Sequence, residues 1–301
     1  MPKVTFVENP GRLPPAPPGR VALVDLAFAS GDAFGAVTEP FLAALGDRLA
    51  LWIDHHEHAL GWGLHRHDPR FLLVPSSVAH ACPELVTPEV VRRAGKIDVV
   101  LAHADYDGLL SATKFLRAGE APYPECDEDA RAVDSPGRGH ALSERGRRLA
   151  AALDESRASE SGAVREALRQ AVLAALVSGV TPPELDAKLA ALDEKHVRRQ
   201  TRAQALAATA VEEQPGVGVV RSDATLEGSE RKAALRWCED RWPVGVVIEP
   251  GKVTAATFRP DVDLAEVRGL DAGRADYRFG KQTDGGLLVI AALSRYLASV
   301  K

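Results

Sequence analysis

Residues 97–108 read IDVVLAHADYDG, a short apolar run that ends in polar residues and a glycine. Two earlier stretches have the same form: VALVDL at residues 21–26 and RLALWIDHH at residues 48–56. Runs of Val, Leu and Ile that are followed by polar residues and then by helix-like segments are typical of buried parallel strands alternating with helices. The sequence therefore predicts an α/β fold built around a parallel sheet.

Side chains that can bind metal ions follow each of these three predicted strands. They are Asp25 after the first, Asp54, His55 and His56 after the second, and His103, Asp105 and Asp107 after the third. In open parallel sheets, ligands bind beyond the carboxyl ends of the strands. Imidazole and carboxylate ligands together suit Mn²⁺, and also Zn²⁺ or Fe²⁺. The sequence thus predicts a metal site at this edge of the sheet.

Each motif taken alone also has a structural interpretation. A His55-His56 pair can be a surface pair, and HADYDG at residues 103–108 can be a turn with satisfied acids. Against this, His103, Asp105 and Asp107 alternate along the chain, so that an extended segment would project them to one side. Gly108 would then allow a tight turn into a helix.

Two isolated acids complete a recognisable set of motifs. Asp25 ends a strand run, and Asp134 lies in RAVDSPG just before a Ser-Pro-Gly turn. With the DHH at residues 54–56 and the HxDxDG at residues 103–108, these acids resemble the four motifs of the DHH phosphoesterase superfamily. That superfamily includes RecJ-like exonucleases, nanoRNases, cyclic-dinucleotide phosphodiesterases and family II inorganic pyrophosphatases.

The order of the motifs differs from that of the usual members. In those proteins HxDxDG comes first, followed by a lone Asp, the DHH and a last Asp. Here Asp25 comes first, followed by the DHH, the HxDxDG and Asp134. Because metal coordination depends on position in space and not on chain order, a permuted strand order can bring the same side chains to one site.

The resemblance implies a site with two divalent metal ions, most simply Mn²⁺. The implied ligands are His103 and Asp105 for one ion, Asp107 and His55 for the other with Asp134 nearby, and Asp25 between the two. His56 would face the scissile phosphate, and Asp54 would orient a neighbouring histidine. Two such ions would polarise the phosphoryl oxygens and stabilise the leaving oxygen.

The rest of the chain is predicted to form two further segments. Residues 142–212 show helical periodicity and are expected to form a helical linker, while 213–301 are expected to form a smaller α/β domain. The latter resembles a DHHA1 domain, which implies that Arg259, Lys281, Gly285 and Gly286 contact substrate. The predicted limits are 1–20 for a Pro-rich arm, 21–141 for the DHH-like domain, 142–212 for the linker and 213–301 for the last domain.

Composition and charge narrow the class of partner. The 301 residues carry a net charge of -5, which disfavours a protein that grips long nucleic acid through many Lys and Arg contacts. Three separated cysteines favour a reducing cytoplasm, and the absence of a long apolar run argues against a membrane partner. The expected partner is a short nucleic acid or a nucleotide, and formation of a homodimer is left open.

These observations favour a metal-dependent phosphoesterase, with nuclease-type action on short oligonucleotides or dinucleotides. Two alternatives are open. One is a small-molecule phosphatase or pyrophosphatase, and the other is a non-catalytic regulatory module that binds a nucleotide.

Overall fold

The computed structural model describes residues 1–31, 33–134, 140–259, 261–273, 277–281 and 284–300. The chain divides into two compact units, Met1–Asp193 and Glu194–Lys301. The sequence-based domain limits stay predictions. The division between the compact units falls inside a long helix, α8 (Pro183–Ala207), and not at either end of the predicted helical linker.

The first unit is built on a five-stranded parallel sheet. Its strands are β1 (Lys3–Val7), β2 (Val21–Val24), β3 (Leu49–Asp54), β4 (Phe71–Leu73) and β5 (Val99–His103). Their order in the sheet is β1-β5-β2-β3-β4, and every neighbouring pair is parallel. The prediction of an α/β fold around a parallel sheet is confirmed.

The first strand corrects the prediction of a simple N-terminal arm over residues 1–20. Lys3–Val7 pairs in register with Val99–His103 and forms one edge of the sheet. A run of only five residues with one charge gives a weak sequence signal. Its place next to β5 is decided by burial of Val4, Phe6 and Val7 against the core.

The central strand β2 shows why the sheet is covered on both faces. All four of its residues are fully buried. Ala22 and Val24 belong to one apolar cluster, while Val21 and Leu23 belong to the cluster on the opposite face. Because successive side chains of a strand point to opposite faces, a continuous apolar run fits only a sheet with helices on both sides.

In the described part of the first unit, seven α-helices and the start of α8 accompany this sheet. The seven are α1 (Glu39–Leu45), α2 (Ala59–His65), α3 (Pro88–Ala94), α4 (Tyr106–Leu116), α5 (Cys126–Asp134), α6 (Glu144–Ser159) and α7 (Gly162–Ser178). The predicted helical stretch is therefore helical, but α6 and α7 are part of the first unit. Leu149, Leu168 and Val172 lie in the same core cluster as Ala22 and Val24.

The second unit contains a mixed six-stranded sheet. Its strands are β6 (Val211–Gln214), β7 (Val217–Arg221), β8 (Val244–Glu249), β9 (Lys252–Ala256), β10 (Ala272–Gly273) and β11 (Tyr277–Lys281), in the order β10-β11-β9-β8-β7-β6. Only the β7–β8 pair is parallel among these. Two helices, α9 (Gly228–Glu239) and α10 (Leu287–Ser299), complete the unit. Within the described ranges, no helix combines the length and the apolarity that crossing a bilayer requires.

A buried ion pair joins α9 to β8 in the second unit. Arg231 donates from Nε to one oxygen of Glu249 at 3.0 Å and from Nη2 to the other at 2.6 Å. The two side chains are 10% and 1% exposed, respectively. Removing one partner would leave a buried charge without compensation, which is far more costly than losing a surface pair.

We therefore expect Arg231→Met to lower the free energy of unfolding of the second unit by about 3–5 kcal/mol. The measurement is urea denaturation followed by tryptophan fluorescence, since Trp237 and Trp242 lie in this unit. Arg198→Met, which removes an exposed pair with Glu194, is the control and should change the value by less than about 1 kcal/mol. Equal effects of the two substitutions would contradict the stabilising role assigned to the buried Arg231–Glu249 pair.

Candidate metal centre

The predicted site residues meet at the carboxyl ends of three neighbouring strands. In the sheet, β5, β2 and β3 lie side by side. His103 is the last residue of β5, Asp25 directly follows β2, and Asp54 is the last residue of β3. Because the three strands are parallel, their ends lie at one edge of the sheet. The chain order of the motifs is thus no obstacle to a common site.

Asp25 occupies the centre of this arrangement. Its side chain is fully buried, and its backbone has a φ of 55°, a left-handed conformation that is uncommon outside glycine. Its amide donates to the carbonyl of Ile53 at 2.9 Å, which fixes the turn beside β3. Within the described part of the chain, neither carboxylate oxygen of Asp25 has a hydrogen-bond partner.

His55 points its Nε2 atom at three carboxylates. The distances from Nε2 are 3.5 Å to Asp25, 3.4 Å to Asp107 and 3.6 Å to Asp134. On the other side of the ring, Nδ1 lies 3.1 Å from the carbonyl oxygen of Ala79. A carbonyl can only accept, so we assign the proton to Nδ1, which leaves the Nε2 lone pair directed at the carboxylates.

His56 is held differently from His55. Its Nδ1 atom lies 2.8 Å from Oδ1 of Asp54, a buried carboxylate that can only accept, so Nδ1–H is the donor. The side chain of His56 is 38% exposed. The adjacent histidines thus face different surroundings, one enclosed by carboxylates and the other open to solvent.

The start of α4 brings the HxDxDG segment into the cluster. Asp105 caps the helix by accepting from the amide of Gly108 at 2.9 Å, and its second oxygen lies 2.6 Å from Nδ1 of His103. A Cβ atom at Gly108 would lie 2.2 Å from the carbonyl oxygen of His103. Only glycine therefore allows this close approach of helix to strand.

Asp107 and Asp134 close the cluster from two helices. Asp107 lies in the first turn of α4 and is 2% exposed. Its Oδ2 accepts from the amide of Cys82 at 3.0 Å, while Oδ1 has no hydrogen-bond partner among the described residues. Asp134 is the last residue of α5, with a side chain that is 29% exposed.

The atoms that could bind metal ions form three overlapping groups, each with all its atoms within 4.8 Å of one another. The groups are Asp25, His103 and Asp105; His55, Asp107 and Asp134; and Asp25, His55 and His56. Of the predicted ligand residues, all six occur in these groups, and His56 is added to them. Asp54 is outside the groups and supports His56.

Burial of like charges perturbs the protonation equilibria of the cluster. Burial raises the pKa of Asp25 well above its usual range, and the carboxylates of Asp107 and Asp105 raise it further. Burial likewise raises the pKa of Asp107. Burial alone would lower the pKa of His55, but the carboxylates of Asp107 and Asp25 raise it to about 11. In the metal-free protein this shift favours a second proton on His55, at Nε2, which a bound cation would displace.

The structure also reveals supporting groups that the sequence did not indicate. The carbonyl of Ala79 and the amide of Cys82 orient His55 and Asp107, and both belong to the backbone of PSSVAHACP at residues 75–83. The stretch SSVAHACPELV at residues 76–86 resembles the helix that follows the DHH in the superfamily, but here only Cys82–Leu85 forms a short helical turn. Backbone groups carry no residue identity, so no sequence signal could have identified them.

The predicted substrate contacts lie in the second unit. Arg259 is in the loop after β9 and pairs with the neighbouring Asp261. Lys281 is the exposed last residue of β11. Gly285 and Gly286 have φ values of 68° and 78°, which side-chain-bearing residues rarely adopt, and they lead directly into α10. The roles of these four residues stay predictions.

No protein-family model matches the chain. No curated protein matches it either. Similar solved structures include an exonuclease RecJ bound to manganese, with 17% identity and a TM-score of 0.49 over 93% of this chain and 75% of that one. RecJ of Thermus thermophilus in complex with Mn²⁺ has 16% identity and a TM-score of 0.45, covering 93% of this chain and 44% of that one.

A third similar structure is the pGpG-specific phosphodiesterase PggH from Vibrio cholerae. It has 12% identity and a TM-score of 0.46, over 94% of this chain and the whole of that one. This chain spans less than half of the length of the Thermus protein. Such low identities leave the chemistry to be inferred from this chain's own side chains.

The crowded carboxylates lead to a prediction about the metal-free protein. Raised folded-state pKa values of Asp25, Asp107 and His55 each contribute stability at low pH that is lost as pH rises through the folded values. We therefore expect the free energy of unfolding in the presence of a chelator to fall as pH rises from about 4, near the usual pKa of an aspartate, toward about 11, the folded pKa of His55. Urea denaturation at several pH values measures this slope.

Asp25→Asn should make that slope shallower and raise the metal-free free energy of unfolding by about 0.5–2 kcal/mol. The amide removes a buried charge, and asparagine tolerates the left-handed backbone at this position. Asp68→Asn, which removes a partly exposed carboxylate paired with Arg70, is the control and should give no gain. A loss of stability in Asp25→Asn would show that the carboxylate is not under electrostatic strain.

Proposed function

We propose that this protein is a metal-dependent phosphoesterase that hydrolyses short oligonucleotides or dinucleotides at two divalent ions, with Mn²⁺ as the preferred metal. The observation that carries the proposal is the buried set of ligand atoms around Asp25 and His55. These atoms form three overlapping groups, each within 4.8 Å, and include oxygens and a nitrogen without hydrogen-bond partners in the described ranges.

The donor set fits divalent cations on physical grounds. Burying an ionised carboxylate is costly unless it is paired or binds a metal. Here both oxygens of Asp25, Oδ1 of Asp107 and Nε2 of His55 are buried and lack partners in the part of the chain that the structure describes. Mixed imidazole and carboxylate ligands suit Mn²⁺ better than Ca²⁺, which takes only oxygen ligands.

The grouping of the ligands supports two ions. Asp25, His103 and Asp105 would hold one, and His55, Asp107 and Asp134 would hold the other. Asp25 has one oxygen near His55 and the other 3.9 Å from His103, so that its carboxylate reaches toward both groups. Two bound ions would supply positive charge that stabilises the attacking and leaving oxygens of a phosphoryl group.

His56 is the side chain best placed to meet the phosphate. Its Nδ1–H is committed to Asp54, so Nε2 is the nitrogen that this partly exposed side chain can offer to a substrate. Burial alone would lower the pKa of His56, but Asp54 raises it above the ordinary value. When protonated, His56 can donate a hydrogen bond to a phosphoryl oxygen or a proton to the leaving oxygen.

A short substrate agrees with the charge of the protein and with the groups proposed to contact it. The net charge of -5 disfavours a grip on a long polymer through many Lys and Arg contacts. Arg259 and Lys281 would supply local positive charge, and the turn at Gly285 and Gly286 would expose backbone amides. One amide near this turn is already used, since that of Leu288 donates to Asp284 at 2.8 Å.

The test is hydrolysis of a small substrate panel by the full chain in Mn²⁺. The panel contains short RNA and DNA oligomers, linear and cyclic dinucleotides, adenosine bisphosphate and pyrophosphate. We expect turnover of the oligonucleotides or dinucleotides, with a loss of at least about 100-fold in His55→Ala and Asp107→Asn, because each removes a proposed ligand. His67→Ala, an exposed histidine outside the three ligand groups, should keep its activity.

The alternatives predict different results. Turnover of only pyrophosphate or the bisphosphate would indicate a small-molecule phosphatase and not a nuclease. Nucleotide binding without turnover, combined with no bound metal in elemental analysis, would favour a regulatory module and overturn the enzyme proposal.

A further inference from the structure

The loop formed by residues 79–84 holds two of the proposed ligands. At its start, the carbonyl of Ala79 accepts from Nδ1 of His55. Three residues later, the amide of Cys82 donates to Oδ2 of Asp107 at 3.0 Å. Any shift of this loop would therefore move His55 and Asp107 together.

Arg131 ties this loop to α5. Its Nη2 donates to Oε2 of Glu84 at 2.7 Å, and its Nη1 donates to Oε2 of Glu128 at 2.9 Å. The other oxygen of Glu84 accepts from the amide of Ala81 at 3.0 Å. The guanidinium thus fastens the backbone of the 79–84 loop to the helix through a single carboxylate.

The same helix carries Asp134 into the metal centre. Arg131 and Asp134 are three residues apart on α5, so their side chains lie on the same side of the helix. Asp134 Oδ2 is 3.6 Å from Nε2 of His55. Arg131 therefore links the 79–84 loop, which positions His55 and Asp107, to α5, which carries Asp134. These three residues form one ligand group.

A second set of contacts, through two histidines, also connects the 79–84 loop to α5. The other oxygen of Glu128 lies 2.9 Å from Nδ1 of His140, and Nε2 of His140 lies 3.2 Å from Nδ1 of His80. His80 belongs to the 79–84 loop. The loop and α5 are thus joined on both sides of Glu128.

A separate cation keeps the loop folded independently of Arg131. The buried Lys114 of α4 donates to the carbonyl of Pro83 at 2.7 Å and to both oxygens of Asp127 at 2.8 and 2.9 Å. Because this inner contact remains, loss of the partly exposed Arg131 should loosen the register of the loop against α5 without unfolding either element.

We propose that Arg131 is a positioning residue for the metal centre: it fixes the 79–84 loop against α5 and so sets the affinity of the ion held by His55, Asp107 and Asp134. The inference rests on the proposed two-metal function. The other ion would be held by Asp25, His103 and Asp105, which lie at strand ends and at the start of α4. Among the described residues, Arg131 makes its side-chain contacts with Glu84 and Glu128 and not with these elements.

The experiment is a titration of the full, chelator-treated chain with Mn²⁺ by isothermal titration calorimetry. Wild type should bind two ions. Arg131→Met should bind one ion as in wild type and the other about 10–100-fold more weakly, the range typical of losing a partner that orients a ligand. Arg131→Lys cannot reach both carboxylates with a planar fork and should recover only part of the affinity.

Two controls separate positioning from general stability. Arg147→Met removes a comparable two-contact pair with Asp193, remote in the chain from the ligands, and should leave both affinities unchanged. Glu84→Gln keeps an acceptor for the amide of Ala81 but breaks the ion pair, so it should weaken the same ion if Arg131→Met does not fold. Thermal midpoints of the metal-free variants report on folding separately.

The outcomes distinguish this inference from the function on which it rests. No Mn²⁺ binding by wild type would overturn the proposed function. Two ions bound by wild type and also, with unchanged affinities, by Arg131→Met or Glu84→Gln would overturn the role of Arg131 alone. A lowered thermal midpoint with unchanged Mn²⁺ affinity would assign Arg131 a purely structural role and overturn the inference as well.

Discussion

The electrostatic contact among Asp25, His55 and Asp107 is the constraint around which the first unit is organised. All three side chains are nearly solvent-free, and Nε2 of His55 lies 3.5 Å from Asp25 and 3.4 Å from Asp107. Several of their atoms lack hydrogen-bond partners in the described chain. Such a cluster opposes folding, because buried charges lose hydration. The surrounding apolar sheet offsets this cost. Stability lost at a site of this kind is a common consequence of function.

The sheet topology explains how residues from three separate stretches of the chain meet at one site. Strands β5, β2 and β3 are neighbours and parallel, so the turns after them lie at the same edge. The order of these strands along the chain does not prevent a common site, provided that the segments connecting them can cover both faces of the sheet. Here helices fill both faces, and the core clusters on either side of β2 are continuous with it.

The proposed ligands are held in position by groups that hydrogen-bond to them. Asp54 orients His56, the carbonyl of Ala79 orients His55, and the amide of Cys82 orients Asp107. The ion pair of Arg131 with Glu84 and the hydrogen bond from Lys114 to the carbonyl of Pro83 then hold the loop that supplies the two backbone groups. Because a ligand displaced by a fraction of an ångström binds a metal less tightly, these outer contacts govern the site as much as the ligands do.

The sequence by itself determined the α/β class, the three strands of the centre and the identity of the residues at their ends. It could do so because burial on both faces demands continuous apolar runs, and because functional side chains follow such strands directly. Only the tertiary structure decided that β1 joins the sheet, that α6 and α7 belong to the first unit, and that the 79–84 loop supports the centre. A short edge strand, helices with solvated faces and backbone donors leave little trace in residue types, since their roles depend on which groups the fold brings beside them.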